Sequence, residues 1–416
     1  MKYTSRTLIA LAALSPAVMA LDVKDDDLKL GLKLQLQVRA EKSWAASRSG
    51  SAYSAAESAS VAGSEADQVD FYIRRARIGF AGTWKGEYKF AYLLRNDNQD
   101  KATNSTASRT PQTHYAFIER IIKQEDLGIE HGIRAGLDYA WFNGTSAVFS
   151  SSSFLFPTER ATGAMLAPRG TGVGYKLNSK MVQFGFDVQN NTGDSVAVAS
   201  DGVTGGNEGL FYGTRLQIIP FDSAEKGHMK PVESFLGKDG TGVMISSEFG
   251  VNQFDNTSAT NTTTTKGYGF ELLAHANAIT FLAEWRQTVA NYDNQATPDR
   301  VNVATAYLFQ IGYAMPWGDE VIEPAFRWTR LNSISQASES SEYGTSEFGG
   351  SGYSYDVGIN YYLHGNSNKF QLAWQHWRSE GGTTNATLGG DGTLGAAQQG
   401  SNARADIVRA QWQISF

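Results

Sequence analysis

Hydrophobic and polar residues alternate strictly along several stretches of this chain. Between residues 28 and 40, every even-numbered position is apolar and every odd-numbered position is polar, charged or glycine. Residues 404–416 end in the same alternation, and the last residue is Phe416. Because successive side chains of a β-strand point to opposite faces, each stretch predicts a strand with one apolar and one polar face. A helix would instead spread its Lys and Leu residues over all faces.

Sixteen segments of this kind are predicted along the chain. They lie near residues 28–40, 70–84, 87–95, 113–122, 127–137, 171–178, 180–190, 209–220, 242–255, 266–276, 278–290, 302–314, 320–332, 352–364, 368–379 and 404–416. Short connections alternate with long polar ones, which cover residues 41–69, 96–112, 138–170, 191–208, 256–265, 291–301, 333–351 and 380–403. Residues 221–241 depart from the pattern, because a long connection stands where a short turn is expected.

The even strand number and the alternating connections predict the fold. Bacterial outer-membrane barrels have an even number of antiparallel strands, short periplasmic turns and longer extracellular loops. We therefore predict an all-β protein, a 16-stranded antiparallel transmembrane β-barrel with long extracellular loops and an in-folded constriction loop. A soluble sandwich or β-helix is the alternative. The terminal Phe416 favours the barrel, since aromatic girdles lie at its lipid interface.

The first residues of the chain have the features of an export signal. Lys2 and Arg6 form a basic start, and a short apolar run from Thr7 to Leu14 follows them. With small or modest residues leading to Ala20, this pattern predicts a signal peptide at 1–20. An N-terminal anchor is the alternative, but a spanning helix needs about 20 apolar residues. The predicted organisation continues with a short periplasmic segment at 21–27 and the barrel at 28–416.

Composition narrows the class further. Charged residues make up 19% of the chain and aromatic residues 12%, a balance that argues against disorder. The chain has no Cys, which excludes a disulfide scaffold and a thiol nucleophile. It contains neither an HExxH nor a GxSxG motif, so we predict no enzyme, metal site or cofactor. Bases among the aromatics at 71–77 are interpreted as lumen and girdle residues rather than as a nucleic-acid site.

The polar faces of the predicted strands separate into a basic and an acidic wall. A barrel of this size encloses an aqueous channel, so these faces line a pore. The basic wall, on the first, second, third and last strands, consists of Lys29, Lys33, Arg39, Arg75, Arg77, Lys89, Arg95 and Arg409. The acidic wall, opposite, consists of Asp187, Glu248, Glu271, Glu284, Glu323 and Asp356. The formal net charge of −6 therefore conceals a cationic strip. The alternative for each base is a pairing with a loop carboxylate.

The longest predicted loop, residues 138–170, is the candidate constriction loop. A structureless loop of that length is usually functional or disordered. Its six aromatic residues, among them Phe154 and Phe156, suit packing against a wall. We expect the loop to fold into the lumen and to present Glu159, Arg160 and Arg169 near its end. An extracellular flap is the alternative.

Several stretches together resemble the phosphate-selective porin O and P family of Gram-negative outer membranes. Residues 71–84, FYIRRARIGFAGTW, are similar to the family's second strand with its paired arginines. Residues 156–160 followed by 167–169 resemble the end of its constriction loop, and residues 355–374 and 405–416 resemble its closing strands. The resemblance implies a trimeric porin of sixteen strands with a basic lumen.

The predicted function is passive diffusion of small hydrophilic solutes and ions across the outer membrane of a Gram-negative bacterium, with a preference for anions or phosphate. The predicted partners are outer-membrane lipid and lipopolysaccharide, two further copies in a homotrimer, and the barrel-assembly machinery, for which Phe416 is the predicted assembly signal. The alternatives are a barrel with adhesive, surface-binding loops and a barrel enzyme.

Overall fold

The structure of the protein, a computed structural model, is built almost entirely of β-strands. It describes residues 23–24, 27–46, 69–97, 111–140, 151–158, 169–190, 209–223, 229–256, 261–294, 297–335, 351–380, 385–388, 394–397 and 404–415. The predicted signal peptide and Phe416 lie outside these residues. Within the described part of the chain, no helix is long and apolar enough to cross a membrane.

Two short strands, Val23–Lys24 and Met315–Trp317, pair with a closed sheet of sixteen long antiparallel strands, the number that the sequence predicts. Numbered β1 to β16 in chain order, the long strands are Leu28–Ala46, Asp70–Trp84, Tyr88–Arg95, Gln112–Gln124, Ile129–Tyr139, Arg169–Asn178, Val182–Asn190, Leu210–Asp222, Thr241–Asn256, Asn261–Ala276, Ile279–Asn294, Thr297–Tyr313, Glu320–Ser335, Ser351–His364, Asn368–Glu380 and Arg404–Ser415. The sheet closes because β1 pairs with both β2 and β16, with Gln37 opposite Gln413 at the closure.

The outside of the barrel is apolar and the inside is polar. Large apolar side chains such as Phe71, Val173 and Phe270 are exposed on the outer surface. Buried residues of the strands include Gln, Glu and Arg side chains such as Arg39 and Gln413. This is the arrangement that a strand with alternating faces gives when lipid surrounds the barrel.

Two predicted extracellular loops are shorter in the structure than in the sequence-based prediction. The sequence predicts connections at residues 256–265 and 291–301. In the structure, β9 ends at Asn256 and β10 begins at Asn261, and β11 ends at Asn294 and β12 begins at Thr297. The Thr-rich composition of residues 262–265 explains the first extension, because β-branched Thr favours strands.

The turns at the opposite end are tight. Lys85 and Gly86 connect β2 and β3 with φ angles of 52° and 67°, and Asn277 connects β10 and β11 with a φ of 50°. By the rule that short turns are periplasmic, this end faces the periplasm. The exception is the connection between β8 and β9, which is long, as its sequence predicts, and folds into the barrel.

Candidate functional site in the barrel interior

A segment of the predicted constriction loop, residues 152–158, lies inside the barrel. Phe154, Leu155 and Phe156 are buried, with 5%, 1% and 1% of their surface exposed. The segment contacts strands from several parts of the sheet, so it crosses the interior and does not extend away from the rim. Glu159 and Arg160 lie outside the described residues, as does the side chain of Arg169, whose backbone begins β6.

Side chains of the last two strands hold the start of this segment. Lys369 donates from Nζ to the carbonyl oxygen of Phe154 at 2.6 Å, and Gln371 donates to the same oxygen at 3.0 Å. Gln413 donates to the carbonyl oxygen of Ser152 at 3.1 Å. These bonds satisfy backbone groups that the segment cannot pair within itself.

Arginines from two different walls hold the end of the segment. Arg327 on β13 donates to the carbonyl and hydroxyl oxygens of Thr158 at 3.1 and 2.6 Å. Arg39 on β1 donates to the carbonyl oxygen of Pro157. The guanidinium of Arg327 also lies 4.7 Å from the ring centre of Phe156. The segment is therefore anchored at both ends to the barrel.

A second segment, residues 229–237, enters the barrel from the periplasmic end. Met229, Glu233 and Phe235 are buried, and the Phe235 ring stacks on His275 with 4.2 Å between ring centres. The carboxylate of Glu233 accepts a hydrogen bond from the backbone N–H of Leu155 at 3.0 Å. The two in-folded segments therefore contact each other inside the lumen.

An apolar cluster fixes both segments to one side of the interior. Phe154, Met229 and Phe235 pack with inward-facing side chains of β8 to β12, namely Ile219, Met244, Leu273, Leu282 and Leu308. The unusual length of residues 221–241 is evident from the sequence, but their position in the barrel is not. The signal that could have placed them is the presence of Leu273 and Leu282 on a face that is otherwise polar, because apolar lumen residues need a partner to cover them.

The acidic wall is paired internally. Arg215 and Arg286 contact both Glu248 and Glu271, with Arg215 to Glu271 at 2.8 Å and Arg286 to Glu248 at 2.9 Å. Arg327 binds Asp356 at 3.1 Å. The remaining members of the wall are also buried: Glu284 is 4% exposed and Glu323, which accepts from the Tyr362 hydroxyl at 2.7 Å, is fully enclosed. Much of the negative charge of this wall is thus neutralised by its own arginines.

Two bases outside the predicted basic wall also neutralise carboxylates of the interior. Arg134 binds Asp187 at 2.9 Å, and Lys176 binds Glu119 at 2.6 Å. Arg134 follows Ile133, which is 52% exposed on the outer surface. The alternation along β5 therefore carries the signal that Arg134 points inward.

The centre of the basic wall contains three buried arginines, whereas strict alternation along the strands predicts that only two of them face inward. Arg39 donates to Gln411 at 2.8 Å and to the hydroxyl of Tyr72 at 3.1 Å, and Arg75 donates to Gln37 at 2.9 Å. Arg74 is also buried, with 4% of its surface exposed. A bulge causes this, because Gln37 pairs with Arg75 and Val38 with Ile73, so that Arg74 is the extra residue.

Three other bases of this wall are paired with carboxylates. Arg77 binds Asp97 through two hydrogen bonds of 2.6 and 3.2 Å. Lys89 binds Glu130 at 3.2 Å and Arg409 binds Glu41 at 2.7 Å. Arg95 donates to the side-chain oxygen of Gln112 at 3.2 Å.

The arginines Arg74, Arg75 and Arg77 of β2 all act on the pKa of Asp97. Burial alone would raise the pKa of Asp97, but the charge and hydrogen bonds of Arg77, with the charges of Arg75 and Arg74, hold this pKa below its ordinary value. Asp97 is therefore an anion that cancels one of these arginines.

Lysines extend the basic wall toward the periplasm. Lys29, Lys33 and Lys89 line a cavity of about 410 Å³ together with Phe117 and Glu119. Lys29 and Lys33 are exposed to this space, and the Lys33 ammonium lies 5.9 Å from the ring centre of Tyr115. The barrel interior therefore has one side filled by the in-folded segments and another side that carries solvent-accessible positive charge.

This fold and interior define an outer-membrane porin, a closed barrel whose lumen is narrowed by in-folded segments. The family model for phosphate-selective porin O and P matches residues 48–267. This is more than half of the chain, so the protein belongs to that family, as its sequence motifs indicate. It forms a water-filled channel in the outer membrane of a Gram-negative bacterium, and family and fold indicate a channel rather than an enzyme.

Solved structures of other outer-membrane proteins share the fold at low sequence identity. They include the channel DcaP of Acinetobacter baumannii, with a TM-score of 0.56, 12% identity and coverage of 95% of this chain and 99% of that chain. The trimer form of OmpT of Vibrio cholerae has a TM-score of 0.55 at 9% identity, covering 93% of this chain and 100% of that chain. An anion-selective porin from Comamonas acidovorans has a TM-score of 0.52 at 10% identity, and the similarity covers 94% of this chain and 100% of that chain. A comparison with curated protein sequences gives no match.

Proposed function

We propose that this porin passes small anions in preference to cations, along the basic wall. The observation that carries the proposal is the unequal neutralisation of the two walls. Glu248 and Asp356 of the acidic wall bind arginines of neighbouring strands, whereas Arg39 donates to Gln411, Tyr72 and a backbone carbonyl, and Lys29 and Lys33 are exposed to the lumen. A lumen of low dielectric strengthens the field of such charges.

In this proposal, each part of the basic wall has a separate role. Arg39 and Arg75 lie beside the constriction segment, where the Arg75 guanidinium is 6.0 Å from the Phe154 ring centre. Lys29 and Lys33 lie toward the periplasm and attract the anion onward. An anion passes between such sites provided that no site binds it too tightly.

Inorganic phosphate is the proposed preferred anion, and competition with chloride tests this. We expect millimolar phosphate, added to a planar bilayer in potassium chloride, to lower the single-channel chloride current. Phosphate oxygens accept charge-assisted bonds from guanidinium groups, so the phosphate resides longer than chloride. Sulfate at the same concentration controls for charge. If phosphate lowers the current no more than sulfate does, the channel prefers anions without selecting phosphate.

The proposal includes the assembly and surroundings of the channel. We infer that three copies form a homotrimer, embedded in outer-membrane lipid and lipopolysaccharide, after export by the signal peptide at 1–20. The family and the similarity to an outer-membrane protein in trimer form support this inference. We also propose that the protein acts without a cofactor and without catalytic activity.

Deleting Phe416 is expected to lower the amount of folded barrel in the outer membrane. The reason is that the assembly machinery is expected to recognise the final strand, whose alternation places this residue at the lipid interface. Heat-dependent mobility on gels measures the folded fraction, and Phe416→Trp is the control that restores an aromatic end. Equal folded amounts of the deletion variant and the parent would refute the prediction.

A further inference from the structure

The cavity on the basic wall near the periplasm has a floor of very small side chains. One row of paired residues crosses β1 to β4 through this cavity, and its members are Gly31, Ala81, Ala91 and Phe117. The first three have no side chain larger than a methyl group. Because neighbouring strands are about 4.8 Å apart, the wall is recessed over roughly 10 Å from Gly31 to Ala91. The side chain of Phe117 closes one end of this space, which we call the lysine recess.

Charged side chains lie in the rows on both sides of this floor. The row nearer the periplasm consists of Lys29, Thr83, Lys89 and Glu119. The row on the other side begins at Lys33 and ends at Tyr115. Each of these residues is two positions from a residue of the floor, so it shares the lumen face and lies roughly 7 Å away along its strand. The lysine recess is therefore an apolar floor with ammonium groups on two sides.

Two of the lysines supply positive charge that the protein does not neutralise. Lys29 and Lys33 are exposed, and among the residues that the structure describes none forms an ion pair with either of them. The carboxylate in the recess, Glu119, already binds Lys176 at 2.6 Å. The lysine recess is therefore open to an anion that comes from the lumen.

The recess differs in chemistry from the arginine-rich centre of the basic wall. Pockets that bind small molecules have volumes of about 300–1,000 Å³, and they are lined mostly by apolar groups with a few polar groups that fix the orientation of the ligand. The lysine recess, at about 410 Å³, has this size and this type of lining. A hydrated inorganic anion would use its ammonium groups but would leave the apolar floor uncovered. A ligand that uses both has a negative group attached to an apolar body.

We propose that the lysine recess binds small aromatic carboxylates on their way through the channel. Lys29 and Lys33 are on either side of Gly31 on one strand, so both ammonium groups can donate charge-assisted bonds to a carboxylate above that glycine. The aromatic ring lies flat on the floor formed with Ala81, beside the Phe117 side chain. Burial of the ring adds affinity that a small inorganic anion does not gain. The inference rests on the proposed function, because it adds a class of solute to the anions that the channel passes.

Ligand binding to the full-length barrel in detergent micelles tests the proposal by saturation-transfer NMR, which does not depend on ion current. The probes are benzoate, acetate and benzamide. Acetate keeps the carboxylate but lacks the ring, and benzamide keeps the ring but lacks the charge. One variant, Ala81→Leu, fills the floor without changing the charge. A second variant, Lys29→Gln/Lys33→Gln, removes the charge and keeps the floor.

The matched control is Ala283→Leu, which adds the same side chain on the outer surface of the barrel. Its neighbours along β11, Leu282 and Glu284, are buried inside, so alternation places Ala283 on the opposite face. This control should bind all three probes like the parent, including any portion of the probes that enters the micelle. Heat-dependent gel mobility verifies that every barrel is folded.

The parent is expected to bind benzoate roughly tenfold more tightly than acetate or benzamide, because only benzoate uses both the floor and the ammonium groups. Ala81→Leu should lose this advantage over acetate, and Lys29→Gln/Lys33→Gln should lose the advantage over benzamide. Equal affinity of the parent for benzoate and acetate, or parent-like benzoate binding by either folded variant, would overturn the proposal. If the channel conducts potassium better than chloride while these binding results hold, the proposed anion preference is wrong but the lysine recess is still supported.

Discussion

Replacing Phe154 and Phe156 with serine is expected to raise the single-channel conductance about twofold, because these rings hold the constriction segment inside the lumen. Phe154 belongs to the interior apolar cluster, and Phe156 packs in a separate cluster with Leu155, Ala325 and Ala373. Burial of a Phe side chain contributes about 1.5–3 kcal/mol, so the loss of two removes much of the force that keeps the segment in place. The sixteen strands keep their own hydrogen bonds and remain closed.

Planar bilayer recordings at high salt measure this effect, since charge differences are then screened. The control is Phe270→Ser, which removes a ring that is 58% exposed on the lipid-facing surface. Its conductance should equal that of the parent. If the folded Phe154→Ser/Phe156→Ser variant conducts like the parent as well, residues 152–158 do not limit the current.

Replacing Arg74 and Arg75 with glutamine is expected to remove about half of the selectivity for anions over cations, because two charges leave the centre of the basic wall. The effect should be larger in dilute than in molar salt, since the screening length at physiological salt is only about 8 Å and shortens further as salt rises. The zero-current potential in a salt gradient measures the change.

The Arg77–Asp97 pair provides a matched control. Arg77 and Asp97 carry opposite charges and bind each other at 2.6 Å. The variant Arg77→Gln/Asp97→Asn therefore also changes two residues of this region but leaves the net charge as it was. It should keep the selectivity of the parent. A larger shift in this variant than in Arg74→Gln/Arg75→Gln would mean that the field at the constriction comes from elsewhere.

Strand alternation predicts the barrel well because it is a local property. The alternation within each segment shows which residues share a face, and this is enough to predict that Arg39 and Arg75 lie inside the barrel, where both are buried. The prediction from strict alternation is wrong at Arg74, because a bulge adds one residue to β2 and shifts its register against β1. Arg74 is buried with its neighbour as a result.

The charge balance of the walls could not be predicted from the same pattern. Alternation along a strand predicts the face on which a side chain lies, but the register between strands decides which charged side chains are in contact. Arg215 lies directly opposite Glu248 across β8 and β9, and this pairing neutralises part of the negative charge of the acidic wall. Similarly, the partner of Arg77 is Asp97, which lies just beyond β3 at the start of a predicted loop.

The in-folded segments depend on contacts between distant parts of the chain. Length and aromatic content single out residues 138–170, and length alone singles out residues 221–241. Their contacts inside the barrel include the hydrogen bond from the Leu155 N–H to Glu233, across 78 residues of sequence. A local pattern contains no information about such a contact, although the apolar lumen residues Leu273 and Leu282 indicate that something covers them.

The most direct test of the account is the zero-current potential of the parent protein in a planar bilayer with a tenfold gradient of potassium chloride, about 0.1 M against 1 M. Large open steps should appear, as expected of a water-filled channel. The sign of the potential should show that chloride carries more of the current than potassium, because the positive charge of the basic wall is less neutralised than the negative charge of the acidic wall. A potential of the opposite sign, with potassium as the more permeant ion, would contradict the account.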